Sequence, residues 1–265
     1  MQLSKGHFTS EMRRWRKVRN LSQLSLAVSA NISQRHVSWL ENGKSAPSRD
    51  MVVRLSEAMD IPLRDRNQFL KAAGYASLYT ENQLDAPPME SVRHVLKNVL
   101  KNQEPYPSFV LDRCWNIYMQ NKAADSLFDT FGDSDELWRA VGDEGDRNMA
   151  LLTLHPNGIK SALDNWDEVA LQLIRRIKKE AFDSDDPALL ALYKDLAQYI
   201  ELQDDVELDS FFPVLTLDVR LGETELRMCS VISSLGTSLD ITVNEIRIET
   251  LYPIDKQTEQ FFKSI

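Results

Sequence analysis

Cysteine is nearly absent from these 265 residues: only Cys114 and Cys229 occur, far apart in the chain. Two such thiols cannot build a disulfide framework. The pattern is that of a reducing compartment, with buried, inert thiols rather than a redox pair. No apolar run reaches the length that crosses a bilayer, and the opening MQLSKGHF lacks the hydrophobic stretch of a secretory leader. The expected location is the cytoplasm, with no membrane partner. Catalytic signatures are missing as well: there is no phosphate-binding Walker loop, no GxGxxG, no GxSxG and no HExxH. His155 has no ligand partners at metal spacing, and the acidic stretch Asp204, Asp205, Glu207 and Asp209 lacks the spacing of a calcium loop. No catalytic residue, metal site or cofactor is assigned on this basis.

What the chain does have is charge, unevenly distributed. The net charge of −9 conceals two opposite halves. Residues 1–80 hold 13 basic and 6 acidic side chains, a net of +7. Residues 81–265 hold 18 and 34, a net of −16. A basic module suited to a polyanion is joined to an acidic one that a polyanion repels. At this length two domains are expected, and the boundaries read as 1–78, a linker over 79–91 with its Pro87-Pro88 pair, and 92–265.

The stretch LSQLSLAVSANISQRHVSWLENGKSAPS, residues 21–48, reads as two short helices around a tight turn. Ser22 and Ser33 are N-cap residues. Leu21, Leu24, Leu26 and Ala27 are the apolar positions of the first helix, Val37 and Leu40 those of the second. Asn31 suits a left-handed turn position, and Asn42-Gly43 ends the second helix before Pro47. The outer face of that helix offers Gln34, Arg35, His36 and Ser38, a donor and acceptor set fitted to base edges in a major groove. Ser33 and Lys44 flank it, and Gln23 sits where it would hold a phosphate or brace Gln34. Around this motif the periodicity predicts helices over 8–18, capped by Thr9 or Ser10, then 49–59 and 64–73. On the first of these Arg13, Arg14, Arg16, Lys17 and Arg19 surround Met12 and Trp15. Arg13, Arg16 and Lys17 are the expected phosphate contacts.

Residues 8–75 resemble the XRE (434-repressor-like) helix-turn-helix family. The Leu-Ser-Gln start, the Leu-Ala pair, the Ala before the turn, the Ser opening the second helix and Glu-x-Gly followed by Pro carry the likeness. Asn31 stands where that family commonly has Gly. The resemblance implies a mainly α, lambda/434-repressor-like five-helix domain that reads double-stranded DNA.

Beyond the linker the pattern changes. A helix over 89–102 precedes strands at 107–111 and 115–120, then a helix over 122–128 and a mainly helical stretch to residue 202, clearest at 165–182. Period two returns at 214–221 and 225–233 around Gly222-Glu223, a hairpin signal, with further strands expected at 236–243 and 246–252. Two strands, helices, then three or four antiparallel strands is the order of a PAS-like α+β domain. Trp115, Tyr118, Trp138, Trp166 and Phe212 are the aromatics that would line a pocket there, the alternative being core packing.

This half resembles the ligand-binding domain of MmyB-like transcription regulators. The likeness rests on Pro107 with Val110-Leu111-Asp112, Trp115, Asn121-Lys122-Ala123-Ala124, Trp166, and Pro253-x-Asp255-x-x-Thr258. The Arg-rich segment usual before the middle Trp is replaced by HPNGIKSALDNW. The resemblance implies a pocket between sheet and helices for a small, apolar, fatty-acyl-like ligand. A homodimer is expected as well, with two heads on a two-fold axis. Two other readings stay open: a DNA-anchored protein whose acidic half binds a protein partner, and an enzyme fused to a DNA-binding head.

Overall fold

The computed structural model describes residues 2–142, 147–184, 186–200, 216–236 and 238–264. Phe212 and the acidic stretch from Asp204 to Asp209 lie outside the described residues. The chain forms two compact units, Met1–Asn82 with Ser238–Asn244, and Gln83–Thr237 with Glu245–Ile265.

Five helices make the body of the first unit: α1 Gln2–Val18, α2 Gln23–Ser29, α3 Gln34–Glu41, α4 Arg49–Ala58 and α5 Leu63–Ala72. Their starts are set locally. The Ser22, Ser33 and Ser48 hydroxyls accept from the N–H groups of Ser25, His36 and Met51 at 2.9, 3.1 and 3.2 Å. Asn31 takes φ of 52° between α2 and α3, and Gly43 takes 66° after α3. Both are left-handed positions that Asn and Gly tolerate. Met12, Trp15, Leu26, Val37, Leu40, Leu55 and Phe69 fill the core. Burying an aliphatic side chain of this size stabilises by about 1.5–3 kcal/mol, so Val37 and Leu40 anchor α3.

Two local expectations fail here. Leu24 is 57% exposed. The helical period places it with exposed Val28, on the side of α2 away from Leu26 and Ala27. Nor do Thr9 and Ser10 cap α1, which already begins at Gln2; the Thr9 hydroxyl donates back to the Gly6 carbonyl.

The second unit opens with a short 3₁₀ turn at Pro87–Met89 and α6 Glu90–Asn102, followed by β1 Ser108–Leu111 and β2 Ile117–Gln120. Next come α7 Lys122–Asp129, α8 Ser134–Val141, α9 Met149–Leu154, α10 Trp166–Ser184 and α11 Pro187–Ala197. The sheet resumes with β3 Thr216–Leu221 and β4 Thr224–Ser234 around Gly222, continues after α12 Ile241–Glu245 with β5 Arg247–Pro253, and is followed by α13 Lys256–Ser264. Among the described residues the strands of this sheet all pair antiparallel, in the order β2-β1-β5-β4-β3. This is the PAS-like α+β architecture, with the helices between β2 and β3 packed on one face of the sheet.

The strand expected at 236–243 is not one. Its β-branched run Ile241-Thr242-Val243 favours extended backbone, but the Asp240 carboxylate accepts from the Thr242 N–H at 3.0 Å and starts α12 instead. The sequence pattern carries no separate expectation for α13. Asp255 caps it, accepting from the Thr258 N–H at 2.7 Å, while the Thr258 hydroxyl accepts from the Arg227 N–H at 2.9 Å. The Pro-x-Asp-x-x-Thr pattern is therefore a structural clasp between α13 and β4.

Candidate functional site

In the first unit, α3 is held by its inner face and presents the other. Ser33, Gln34 and Arg35 are exposed, His36 and Ser38 half-buried, and Lys44 exposed just beyond. The Arg35 guanidinium lies 4.5 Å from the centroid of the Trp39 ring, one turn along the helix. This stacking restricts a long side chain that would otherwise sample many rotamers. The Ser38 hydroxyl and carbonyl both accept from the Asn42 amide, at 3.3 and 2.7 Å. Asn42 in turn accepts from Arg13 at 2.9 Å.

The basic face of α1 separates by role. Arg13 and Lys17 are exposed. Arg16 is not available as expected. Its Nε and Nη2 bind both carboxylate oxygens of Glu41 at 2.6 and 3.2 Å, and Nη1 donates to the Leu21 carbonyl at 2.8 Å. Gln23 donates to the same carboxylate at 2.7 Å, so it braces Glu41 rather than Gln34. With Glu41 only 2% exposed, this is a buried charge network joining α1, α2 and the end of α3. It fixes the angle at which α3 is presented, and it engages both Arg16 and Gln23, two of the side chains expected to contact DNA. Arg19 closes the end of α4, donating to the Met59 and Asp60 carbonyls.

In the second unit a cavity of about 480 Å³ lies between the sheet and its covering helices. That volume falls in the range of small-molecule sites. Alternation along the strands builds its floor: Leu217 and Val219 from β3, Met228, Ser230 and Ile232 from β4, Glu249 and Leu251 from β5, and Phe109 from β1. Phe128, Phe131, Met149 and Leu173 close the helical side.

Of the aromatics singled out from the sequence, Trp115 lines this cavity. It sits at φ of 68°, a strained position for a side chain of its size. Its backbone is fixed by bonds to the Asp112 carbonyl at 3.2 Å and from the Met149 N–H at 2.9 Å. Trp138 and Trp166 are core residues instead. Trp138 packs edge-on against Phe128 at 5.2 Å, and the Trp166 indole donates to the Thr153 carbonyl at 2.8 Å. Tyr118 is 45% exposed, because β2 is an edge strand whose outer residues face water.

Sequence reading missed the polar residues that line the cavity: Ser230, Glu249 and Arg176, beside Thr153 and Gln172. Glu249 is 8% exposed and lies on the middle strand among apolar neighbours. The Ser230 hydroxyl donates to its Oε1, while Oε2 is buried without a partner, as is the Trp115 Nε1. Burial pushes the Glu249 carboxyl upward, against the opposing influence of the Ser230 bond, Arg176 and Arg247. No sequence signal marks it, since a glutamate in an alternating strand reads as an outward-facing residue. Elsewhere, Cys114 is only half-buried, yet burial pushes its thiol up to about 11, so it is not a nucleophile near neutrality.

A basic helical head with a polar helix braced outward, followed by a PAS-like domain with an apolar cavity, defines a DNA-binding regulator with a ligand-binding module. Family comparison gives the same result. A helix-turn-helix family model matches residues 12–65, and the MmyB-like transcription regulator ligand binding domain matches residues 92–265. The chain belongs to the MmyB-like transcription regulator family. No curated protein matches it. Among the described residues, no helix is long and apolar enough to cross a membrane.

Proposed function

We propose that the protein is a ligand-responsive transcription regulator. The N-terminal half of α3 enters the major groove, where Gln34, Arg35, His36 and Ser38 read base edges. Ser33, Arg13, Lys17 and Lys44 engage phosphates. The cavity of the second unit takes a small, mainly apolar molecule of the fatty-acyl kind. Two copies present their heads on a two-fold axis to half-sites about 34 Å apart.

The observation that carries the regulatory part is the path of the chain between β4 and β5, two strands that floor the cavity. The chain leaves β4, contributes Ser238–Asn244 to the DNA-binding unit, and returns as β5. Within that unit, Asp240 accepts from the Thr80 hydroxyl at 2.9 Å and the Asn82 amide at 2.8 Å, and the Ile241 N–H donates to the Thr80 carbonyl at 2.8 Å. A ligand that shifts β4 against β5 therefore acts on a segment built into the head. It regulates only if it binds two arrangements of the protein with different affinity.

Extraction of the purified protein with organic solvent, followed by mass spectrometry, tests the ligand. A stoichiometric apolar metabolite is the expected result. An empty cavity whose protein binds no lipid added back would favour the protein-partner reading of the acidic half. Conversion of an added metabolite would instead favour the enzyme reading.

A further inference from the structure

Among the described residues, four arginines of the first unit lie over aromatic rings: Arg14, Arg19, Arg35 and Arg66. Three of them also donate to the protein. Arg14 binds the Glu11 carboxylate at 3.0 and 3.2 Å, Arg19 the Met59 carbonyl at 3.0 Å, and Arg66 the Ile61 carbonyl at 2.6 Å. Arg35 differs. Its guanidinium carbon lies 4.5 Å from the centroid of the Trp39 ring, and no protein acceptor among the described residues takes its donors. Stacking occupies the flat face of a guanidinium and leaves its edge, with the fork of N–H groups, available.

The ring beneath it is held firmly. Val37, Leu40 and Glu41 form the buried side of α3. At 3.6 residues per turn, Arg35 and Trp39 stand about 40° apart and project from the opposite side. Trp39 is 40% exposed. Its carbonyl accepts from the Lys44 N–H at 2.8 Å, in the turn that closes the helix. The pair therefore occupies the centre of the outward face, in a stretch of 80 residues with a net charge of +7.

We propose that Trp39 is a positioning residue for sequence reading: its ring aims the edge of the Arg35 guanidinium into the major groove, where the fork takes a guanine. The inference rests on the reading of α3 as the DNA-contacting helix. It adds the base that the operator presents to Arg35 and the side chain that orients the reader.

The chemistry of the fork selects the base. Arginine has donors only. Guanine offers two acceptors side by side on its major-groove edge, O6 and N7. Adenine sets its N6 donor beside N7, thymine offers O4 alone, and cytosine presents a donor. A phosphate also accepts from arginine, but phosphates line the rims of the groove. The Arg35–Trp39 pair lies on the part of α3 that would meet the groove floor. A free arginine loses rotamer freedom when it binds, and one already stacked loses less. The indole thus acts where the fork meets its base, and so on discrimination between sequences.

Selection from a randomised duplex library, with the native full chain and with Arg35→Ala, identifies the operator position that depends on Arg35. That position should be a G·C pair. Fluorescence anisotropy then gives the affinity ratio between the selected duplex and the same duplex carrying A·T there. Arg35→Ala should lower the ratio about tenfold or more. Trp39→Leu should lower it about fivefold, and Trp39→Phe, which keeps a ring, no more than about twofold. Trp39→Met is measured beside Trp39→Leu, and thermal unfolding establishes which variants are folded. One measurement needs no variant: with 7-deazaguanine, which lacks the N7 acceptor, the native chain should bind about fivefold more weakly. Several results would overturn the inference while leaving α3 as the reading helix. They are an Arg35-dependent position that is absent or holds another base, native binding indifferent to 7-deazaguanine, an undiminished ratio in a folded Leu or Met variant, and equal loss in the Phe and Leu variants. Enrichment of no sequence by the native chain would overturn the DNA reading and the inference together.

Discussion

The two functional regions of this molecule are built in opposite ways. The outer face of α3 is a polar surface made from residues close in sequence, and its caps and turn are local, while the network that braces it reaches back to Arg16 on α1. The ligand cavity is an apolar interior whose walls come from residues as far apart as Phe109 and Leu251. The first exposes its chemistry to water. The second hides one carboxyl and one indole N–H and leaves them unsatisfied. Recognition of DNA needs a rigid helix with polar reach; recognition of a small apolar molecule needs enclosed volume and very few polar atoms.

The largest expected effect probes what holds the polar surface in place. Arg16→Ala should destabilise the first unit by about 3 kcal/mol or more, because it leaves the buried Glu41 charge without its partner. Denaturant unfolding of the variant checks this. A loss no greater than that of an exposed arginine would show that α3 does not depend on the network. Next is the reading surface itself. Arg35→Ala should lower affinity for the specific site by about 1–3 kcal/mol with little change in stability. Fluorescence anisotropy on specific and random duplexes separates the outcomes, since equal loss on both would make Arg35 a phosphate contact. A smaller effect belongs to the helix start: Ser33→Ala should cost about 1 kcal/mol of stability through loss of the bond to the His36 N–H.

The cavity gives a prediction of different character. The folded-state Glu249 carboxyl is raised above its unfolded value, so the folded protein holds a proton that the unfolded chain releases first. Its contribution is therefore present at low pH and is lost as pH rises through the ordinary carboxylate range toward the folded-state value. Glu249→Gln should flatten the decline in stability over that window. Unfolding free energies measured across pH for both proteins provide the check, and parallel curves would mean that Glu249 is ionised in the fold.

This contrast also explains what the sequence made legible. The caps Ser22 and Ser33, the left-handed Asn31 and the stop at Gly43 are local signals, and each appears in the structure where the sequence places it. The hairpin at Gly222 and the α10 periodicity were readable for the same reason. The tie of Arg16 and Gln23 to Glu41 is not legible, because residue type and exposure on a helix wheel say nothing about a partner many residues away. The cavity was less legible still. Five aromatics were candidates and one, Trp115, lines it, while Phe212 lies outside the described residues. Whether an aromatic faces a void or a neighbour depends on how sheet and helices meet, which no local window contains. Glu249 shows the same limit in its sharpest form, as an acidic side chain on an inner strand face that pattern reading assigns to solvent.

The claim that joins the two regions is that occupancy of the cavity alters DNA binding by α3. Its most direct test compares affinity for a selected operator duplex before and after the cavity ligand is removed, with the ligand then restored. The account predicts a reversible change of about fivefold or more, the lower end of ordinary allosteric coupling. Identical affinity with the cavity demonstrably full and demonstrably empty would contradict it.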